Sequence, residues 1–463
     1  MSKYRKKIFP VANYTTIATV LQQHSPGDIV EIKGWVKSMR KMKDTIFFDV
    51  NDGSCARRLQ VALPQMKKKD NLTTGSSIVA TGKLNISPLG QIEVQAERIE
   101  ILGICSINEG YPFAPRKTYP PEYIRQYLHL RSRTSKFASM LRIRNTITFE
   151  IHNYLHLKGF INIHTPILTS NDCEGAGEVF VVTADNKSLL KNMVKSNVPF
   201  DQAYFGAKTY LSVSGQLHLE AAVHGLSKVY TFGPTFRAEN SRSRHHLSEF
   251  YMLEVEIAFL DTIEELSLFI EDLVKTVSSQ VLDKCIEDIT NFHTVPGNNI
   301  AMYTNKKYQI LSYDEAVGIL QNNSDKFKTG CCSKDGLSKE HEMFLVKHCG
   351  GPVFILNWPK EMKPFYMKEC SSNNSKVAAL DLLGPDVGEI VGGSLREDNY
   401  NKLKSRIPEG NTNLDWYLDL RRFGNVPTGG FGLGLERFIQ SLLSINNIRD
   451  TLPFPRWAHN CSM

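Results

Sequence analysis

Arg237 opens the run RAENSRSRHHLSEF, which gathers Arg237, Arg242, Arg244, His245 and His246 around a short polar stretch and ends on Phe250. Cations this dense suit a polyanion, most simply a nucleotide phosphate, whose oxygens take charge-assisted hydrogen bonds. Phe250 offers a flat face to a base; a solvated charged loop is the plainer alternative. Further on, VAALDLLGPDVGEIVGGSLR sets Asp381 and Glu389 on either side of a Gly/Pro turn and delivers Arg396. Two carboxylates converging beside a triphosphate can hold magnesium, a hard cation that prefers oxygen. A structural ion pair is the alternative. In SNDCEGAGE, Asp172 and Glu174 could bind a metal or an amine, or solvate a turn. The glycines of GGFGLGLERF let backbone approach a ligand or another strand closely, and Arg437 follows at the start of a helix. No GxGxxG opens a βαβ unit.

These groups need rigid elements to aim them. Tyr230 to Phe259 reads as two apolar strands joined by the cationic loop, an antiparallel hairpin. Before it, a helix of approximate 3.6-residue period is predicted from Lys136 to Leu157, with Phe137, Leu141, Ile147, Ile151 and Tyr154 on its apolar face. Lys158 to Leu168 then gives a glycine stop, a strand and a proline break. After the hairpin, Thr262-Ile263-Glu264-Glu265 has capping-box spacing and opens an amphipathic helix to about Leu282. Residues 283 to 351 carry no readable motif. They include Cys331-Cys332 and a Glu-His-Glu run at 340–342 where a metal is a remote option, and they read as a variable insertion beside the site.

From Ile29 to Leu102 the pattern changes to short β-branched runs with alternating polarity, separated by turns at Asn51-Asp52-Gly53 and Pro88-Leu89-Gly90. Five strands in about seventy residues suggest a small barrel, and an OB-fold is the natural candidate because its open face binds single-stranded nucleic acid. Arg40, Arg57, Arg58 and Lys67 to Lys69 lie near that face. Of Phe47 and Phe48, one should enter the core and the other point outward, since neighbours on a strand face opposite ways. Cys105 to Tyr127, with four prolines, reads as a linker containing the domain boundary. The predicted organisation is α+β: a basic arm over 1–27, an OB-fold barrel over 28–104, a linker over 105–130 and a larger domain over 131–463.

Composition sets the outer bounds. A chain of 463 residues with 41% hydrophobic and 22% charged residues reads as a soluble protein of two or three domains. No apolar run reaches membrane-spanning length. Fifty-five Lys and Arg against 48 Asp and Glu give +7, which permits a nucleic-acid partner. Nine cysteines without a CxxC pair argue for reduced thiols in an intracellular compartment rather than a disulfide or zinc scaffold. The first acidic residue is Asp28, so the start is basic; it suits either a transit peptide or an arm that brushes RNA.

The ordered motifs resemble the class II aminoacyl-tRNA synthetases, in the aspartyl, asparaginyl and lysyl subgroup. Three motifs of that family occur in order: Lys158 to Leu168, the hairpin, and Gly429 to Phe438. The resemblance implies an OB-fold anticodon-binding domain followed by a catalytic domain with an antiparallel sheet flanked by helices. It also implies a homodimer through the first motif, with ATP and Mg²⁺ as cofactors. By matching positions, Arg237 grips the ATP α-phosphate and the amino-acid carboxylate, and Glu239 lies toward adenine and the tRNA acceptor end. His246 contacts phosphate and Phe250 stacks on adenine. Gly434 borders ATP, and Arg437 packs over adenine and meets the γ-phosphate, so Arg237 and Arg437 are the catalytic pair. Asp381 and Glu389 take the ATP-bound metal, and Glu174 the amino acid's α-ammonium. Gln216, Glu220 and Arg396 face its side chain, with Lys363 to Met367 resembling a pocket strand. Phe47 stacks on the middle anticodon base, while Arg40 and Gln60 make polar anticodon contacts.

The amino acid is implied by departures from the aspartate pattern. Aspartate enzymes carry a lysine three residues after the glutamine of GQLHLE; here that position is Leu219, followed by Glu220. EGAGE, too, is the asparagine form. A like-charge contact in a desolvated pocket costs on the order of several kcal/mol. The implied activity is therefore ATP-dependent, AMP-forming activation of asparagine and its transfer to tRNA(Asn). An aspartate-specific enzyme and a non-catalytic RNA-binding paralogue are the alternatives, with an ammonia-dependent asparagine synthetase excluded by its lack of a barrel. The basic start and compact form point to a mitochondrial enzyme, with the cytoplasm as alternative.

Overall fold

The structure, a computed structural model, describes residues 15–65, 71–114, 117–171, 178–195, 197–241, 243–292, 298–328, 336–408 and 414–463. The chain forms two compact units, one of residues 1–142 with 290–292 and one of 143–289 with 293–463.

The first unit is a closed five-stranded barrel: β1 (Ile29–Lys41), β2 (Thr45–Asn51), β3 (Leu59–Pro64), β4 (Ser77–Ile86) and β5 (Ile92–Gly103), in the order β1-β2-β3-β5-β4. Period-2 alternation built it: Ile46, Phe48 and Val50 point into the core with at most 1% exposure, while Thr45, Phe47 and Asp49 face outward. The glycines of both predicted turns, Gly53 and Gly90, have φ of 88° and 78°, the left-handed region where a Cβ is penalised. The segment read as a linker is packed: Phe113 is 8% exposed and meets Tyr111, Tyr119 and Tyr127 edge-on, while Tyr119 stacks on Tyr123 at 4.9 Å.

The helix Ser135–Leu157 matches its predicted span. Its buried face runs through Phe137, Met140, Ile143, Ile147, Ile151 and Tyr154, so Met140 and Ile143 take the place expected for Leu141. The second unit continues with β6 (Ile161–Asn162), then β7 (Leu168–Thr169), β8 (Val181–Val182) and β9 (Thr209–Leu211), which form a small sheet. The main sheet adds β10 (Lys228–Phe236), β11 (Glu249–Ala258), β12 (Gln309–Ser312), β13 (Val353–Pro359), β14 (Glu369–Cys370), β15 (Asn373–Gly384), β16 (Gly388–Leu395) and β17 (Thr428–Gly434). Its order is β12-β13-β15-β16-β17-β11-β10-β6, with β14 on β15. Only the outer pairs, β12 with β13 and β6 with β10, are parallel.

The hairpin is β10 and β11, in register from Lys228↔Ile257 to Phe236↔Glu249. The helix Ile263–Lys284 begins with the predicted capping box: Thr262 Oγ accepts from the Glu265 N–H at 3.3 Å. Described residues of the segment 283–351 contribute to this sheet and its core. They supply β12 at the sheet edge and the helix Lys339–Cys349, whose Leu345 and Val346 enter the core with Val353, Val377 and Leu383.

Candidate functional site

The end of β10, the start of β11 and the helix after β17 enclose one cavity. Arg237, Glu239, His246, Phe250, Glu389, Gly434 and Arg437 all line it. Seven residues chosen over two hundred positions thus converge because β11, β17 and β16 are adjacent strands. Arg237 lies over the Phe250 ring at 5.7 Å, and its backbone N–H donates to Ser248 O at 3.0 Å. Ala238 N–H donates to Glu178 O at 2.9 Å, tying the end of the EGAGE segment to the hairpin. Arg437 reaches the carbonyls of His245 and Glu389 at 3.4 and 3.3 Å. Burial, helped by Arg437, Lys339, His245 and Arg237, drives the His246 imidazole down to about 4. At neutral pH it is uncharged, and its Nδ1 sits 3.0 Å from Ser241 Oγ. Arg242, also in this loop, lies outside the described residues.

A second cavity of about 310 Å³ adjoins the first and shares Arg237, Met252, Glu389 and Gly432 with it. Gln216, Asp381, Arg396, Lys363 and Tyr366 are on its walls. Asp381 and Glu389 do converge: a Cβ on Gly392, which pairs with Asp381 from the strand of Glu389, would stand 3.7 Å from Asp381 Oδ1 and 3.2 Å from Glu389 Oε1. Lys363 Nζ donates to both oxygens of Asp381, at 2.9 and 2.7 Å. Burial nevertheless raises Asp381 to about 7, with Glu389 and Glu342 adding to the rise and Lys363 opposing it. Burial also works against the charge on Glu389, but Arg437, Lys363, Lys339 and Arg237 outweigh it and hold that carboxyl below the usual range. Two hard oxygen donors facing one space could hold a divalent cation such as magnesium. Among the described residues no group of three or more His, Cys, Asp or Glu has the arrangement of an all-protein metal cage.

Behind the second cavity lies a chain of buried charges. Arg396, 3% exposed, donates through Nε and Nη2 to Glu256 at 2.9 and 2.8 Å, and through Nη1 to Ser394 Oγ at 2.8 Å. Its Nε is also 3.7 Å from Glu220. Glu220 accepts from Gln216 at 2.9 Å, Tyr417 at 2.7 Å and Arg421 at 2.7 Å. Two arginines therefore face two glutamates. Burial alone would raise Glu220, yet Arg421 and Arg396 hold it below the usual range. Burial raises Glu256 above that range, although Arg396 opposes it. Gly430 makes this possible, since a Cβ there would come within 2.1 Å of Glu256 Oε2 and 2.8 Å of Arg396 Nη2.

Glu220 has no exposed surface and does not line the cavity. Its two oxygens accept from Gln216, Tyr417 and Arg421, and Arg396 Nε stands 3.7 Å away. Leu219 lines the wall beside it. Glu174, the other acid expected here, falls outside the described residues.

Sequence reasoning missed Glu254, Glu256, Tyr417 and Arg421. Glu254 is buried, and its two oxygens accept the Gly215 N–H at 3.0 and 2.8 Å. The alternation of Glu254 and Glu256 along β11 was visible but reads as a solvent face. Tyr417 and Arg421 gave no local signal.

On the barrel, the three predicted residues meet. Arg40 pairs across strands with Phe47, its guanidinium 5.0 Å from the ring, and donates to Gln60 Oε1 at 2.8 Å. Gln60 in turn donates to Glu93 at 2.6 Å. The result is an outward aromatic face with a held cation beside it, an arrangement that can stack and fix an unpaired base.

Residues 121–458 match the family model of class II tRNA synthetases (D, K and N), and residues 30–102 match that of the OB-fold nucleic acid binding domain. An asparaginyl-tRNA synthetase from Homo sapiens is 44% identical over 449 residues, covering 95% of this chain and 92% of the relative. A probable mitochondrial asparagine–tRNA ligase from Dictyostelium discoideum is 41% identical over 453 residues, 94% of each chain. The crystal structure of asparaginyl-tRNA synthetase from Pyrococcus horikoshii complexed with asparaginyl-adenylate has a TM-score of 0.85 at 31% identity, covering 97% of this chain and 99% of that one.

Proposed function

The chain belongs to the class II tRNA synthetases of the aspartate, lysine and asparagine group, and from this membership we infer an ATP-dependent, AMP-forming ligase that joins asparagine to tRNA(Asn). The observation that carries the reading is two cavities meeting at Arg237, one lined by Phe250 and Arg437, the other backed by Arg396. ATP occupies the first, its adenine between Phe250 and Arg437, with Glu239, His246 and Gly434 along its length. Asparagine occupies the second, its side chain toward Gln216 and Arg396; that Glu174, outside the described residues, binds its ammonium rests on the motif alone. Arg237, shared by both, holds the amino-acid carboxylate against the α-phosphate. A carboxylate oxygen attacks the α-phosphorus, the bond to the bridging oxygen breaks, and pyrophosphate leaves. The terminal ribose hydroxyl of tRNA then attacks the carbonyl, and AMP leaves. Such chemistry needs positioning and charge neutralisation more than acid–base groups. Asp381 and Glu389 would hold Mg²⁺, which when bound neutralises phosphate charge.

Selection of asparagine over aspartate follows from charge. Arg396 is already paired with Glu256 and Glu220, Lys363 with Asp381, and Leu219 supplies no cation, so an aspartate side chain would meet no unpaired counter-charge beside Arg396. Pyrophosphate exchange with each amino acid, followed by tRNA charging, tests this: asparagine should exceed aspartate by at least about 10²-fold. Comparable exchange with aspartate would remove the assignment.

The raised Asp381 gives a pH signature. At limiting Mg²⁺, exchange should rise with pH through about 7 as Asp381 loses its proton. Saturating Mg²⁺ favours the charged carboxylate and should move that limb to lower pH. Asp381→Asn should abolish the limb; a limb unchanged in that variant would assign it elsewhere.

On the barrel, residues 28–104, Phe47 stacks an anticodon base, and Arg40 and Gln60 contact it. Phe47→Ala should raise KM for tRNA by about 5- to 150-fold, the range for one lost base stack, and leave pyrophosphate exchange intact. An unchanged tRNA KM would remove the role.

A homodimer through the first motif, Lys158 to Leu168, with the helix before it is supported by Phe149, Ile161, Ile167 and Leu168, all at least 44% exposed; sedimentation should show two chains. Among the described residues no helix is long and apolar enough to cross a membrane. A mitochondrial location is supported by the acid-free start and the Dictyostelium relative, with the cytoplasm as its rival. Imaging the tagged chain with and without residues 1–27 separates them.

A further inference from the structure

The turn that aims Glu389 is held from outside its own sheet. Glu342, on the helix Lys339–Cys349, accepts the Glu389 backbone N–H at 3.2 Å and Lys339 Nζ at 2.6 Å. Lys339 also donates to Val387 O at 2.8 Å. Both neighbours of Gly388 are thus tied to one helical turn. Gly388 has φ +72°, and a Cβ on it would stand 2.0 Å from Glu342 Oε2. The helix is anchored at its start and along its length. Ser338 Oγ accepts the His341 N–H at 3.3 Å, and His341 Nδ1 accepts the Ser338 N–H at 3.3 Å. Farther along, Leu345 and Val346 are fixed in the core.

We propose that Glu342 is a positioning residue for Glu389 and, through it, for the divalent cation of the nucleotide. The proposal rests on the reading that Asp381 and Glu389 hold that cation. It gives residues 283–351 a part in the chemistry, since their last helix clamps the loop that presents one metal ligand. Glu342 acts on the backbone of Glu389 rather than on the cation, and its charge adds to the negative field that favours a cation near Asp381.

Two variants test the clamp. Glu342→Gln keeps the shape and an acceptor oxygen but loses the charge that pairs with Lys339, and Gly388→Ala forces a methyl group against Glu342. Outer-shell changes of this kind weaken metal affinity by about 10- to 100-fold. The Mg²⁺ concentration giving half-maximal pyrophosphate exchange should rise by about tenfold in both variants, with KM for asparagine unchanged and the rate largely restored at saturating Mg²⁺. Binding of Mn²⁺ alongside a non-hydrolysable ATP analogue, read by electron paramagnetic resonance, should weaken by the same factor. Unaltered Mn²⁺ affinity in both variants, or a rate loss that Mg²⁺ does not reverse, would overturn the clamp. Glu389→Gln is the control for the underlying reading: wild-type Mn²⁺ affinity in that variant would remove the cation site itself and not the clamp alone.

Discussion

Arg237→Ala is expected to lower asparagine-dependent pyrophosphate exchange by about 10³-fold or more, the scale lost when an arginine that stabilises a phosphoryl transition state is removed. The reason is position. Arg237 lies on the walls of both cavities, where the α-phosphate and the carboxylate must come together. Arg437 reaches only the first. Arg237→Lys should recover only a small part of the rate, because a single ammonium cannot present two parallel N–H groups to two partners. Tryptophan fluorescence and thermal melting should show a folded protein, since the side chain borders a cavity. Near-normal exchange in Arg237→Ala would sink the catalytic assignment.

The second large effect concerns Arg396. Arg396→Gln should abolish detectable use of asparagine and also destabilise the fold by about 3–5 kcal/mol, because Glu256 and part of Glu220 lose a buried counter-charge. A single variant would confuse the two consequences. Replacing Arg396 and Glu256 together by leucine should recover much of the stability, since buried ion pairs often exchange for apolar pairs without loss. It should leave asparagine activation absent. Recovery of activity along with stability would show that Arg396 serves the fold alone.

How far the sequence could be read depended on what each residue faces. The barrel was legible because Ile46, Phe48 and Val50 alternate against a real core, so period and burial agree. Arg40, Phe47 and Gln60 followed from the same register. The cationic hairpin was legible because β10 and β11 are consecutive, and its turn concentrates charge within a few residues. Glu254 and Glu256 were missed for the opposite reason: alternating acids on a strand imitate a wet face, whereas here that face looks into a cavity and onto Arg396. Glu220 was noticed but its burial was not legible, since its partners Tyr417 and Arg421 lie 197 and 201 residues away. No window of sequence shows that they saturate it. Residues 283–351 looked empty because their contribution, a sheet edge and a clamp, uses ordinary residues whose meaning is entirely tertiary.

That sheet edge has a consequence for solubility. β12 covers β13, whose Val353, Phe354, Ile355 and Leu356 are each at most 3% exposed. Excising 283–351 as a dispensable loop would leave β13 with a bare row of N–H and C=O groups beside a run of β-branched and aromatic side chains. Such an edge is a template for strand addition by another chain. A trimmed chain would therefore be expected to aggregate through that bare edge, which β12 otherwise covers.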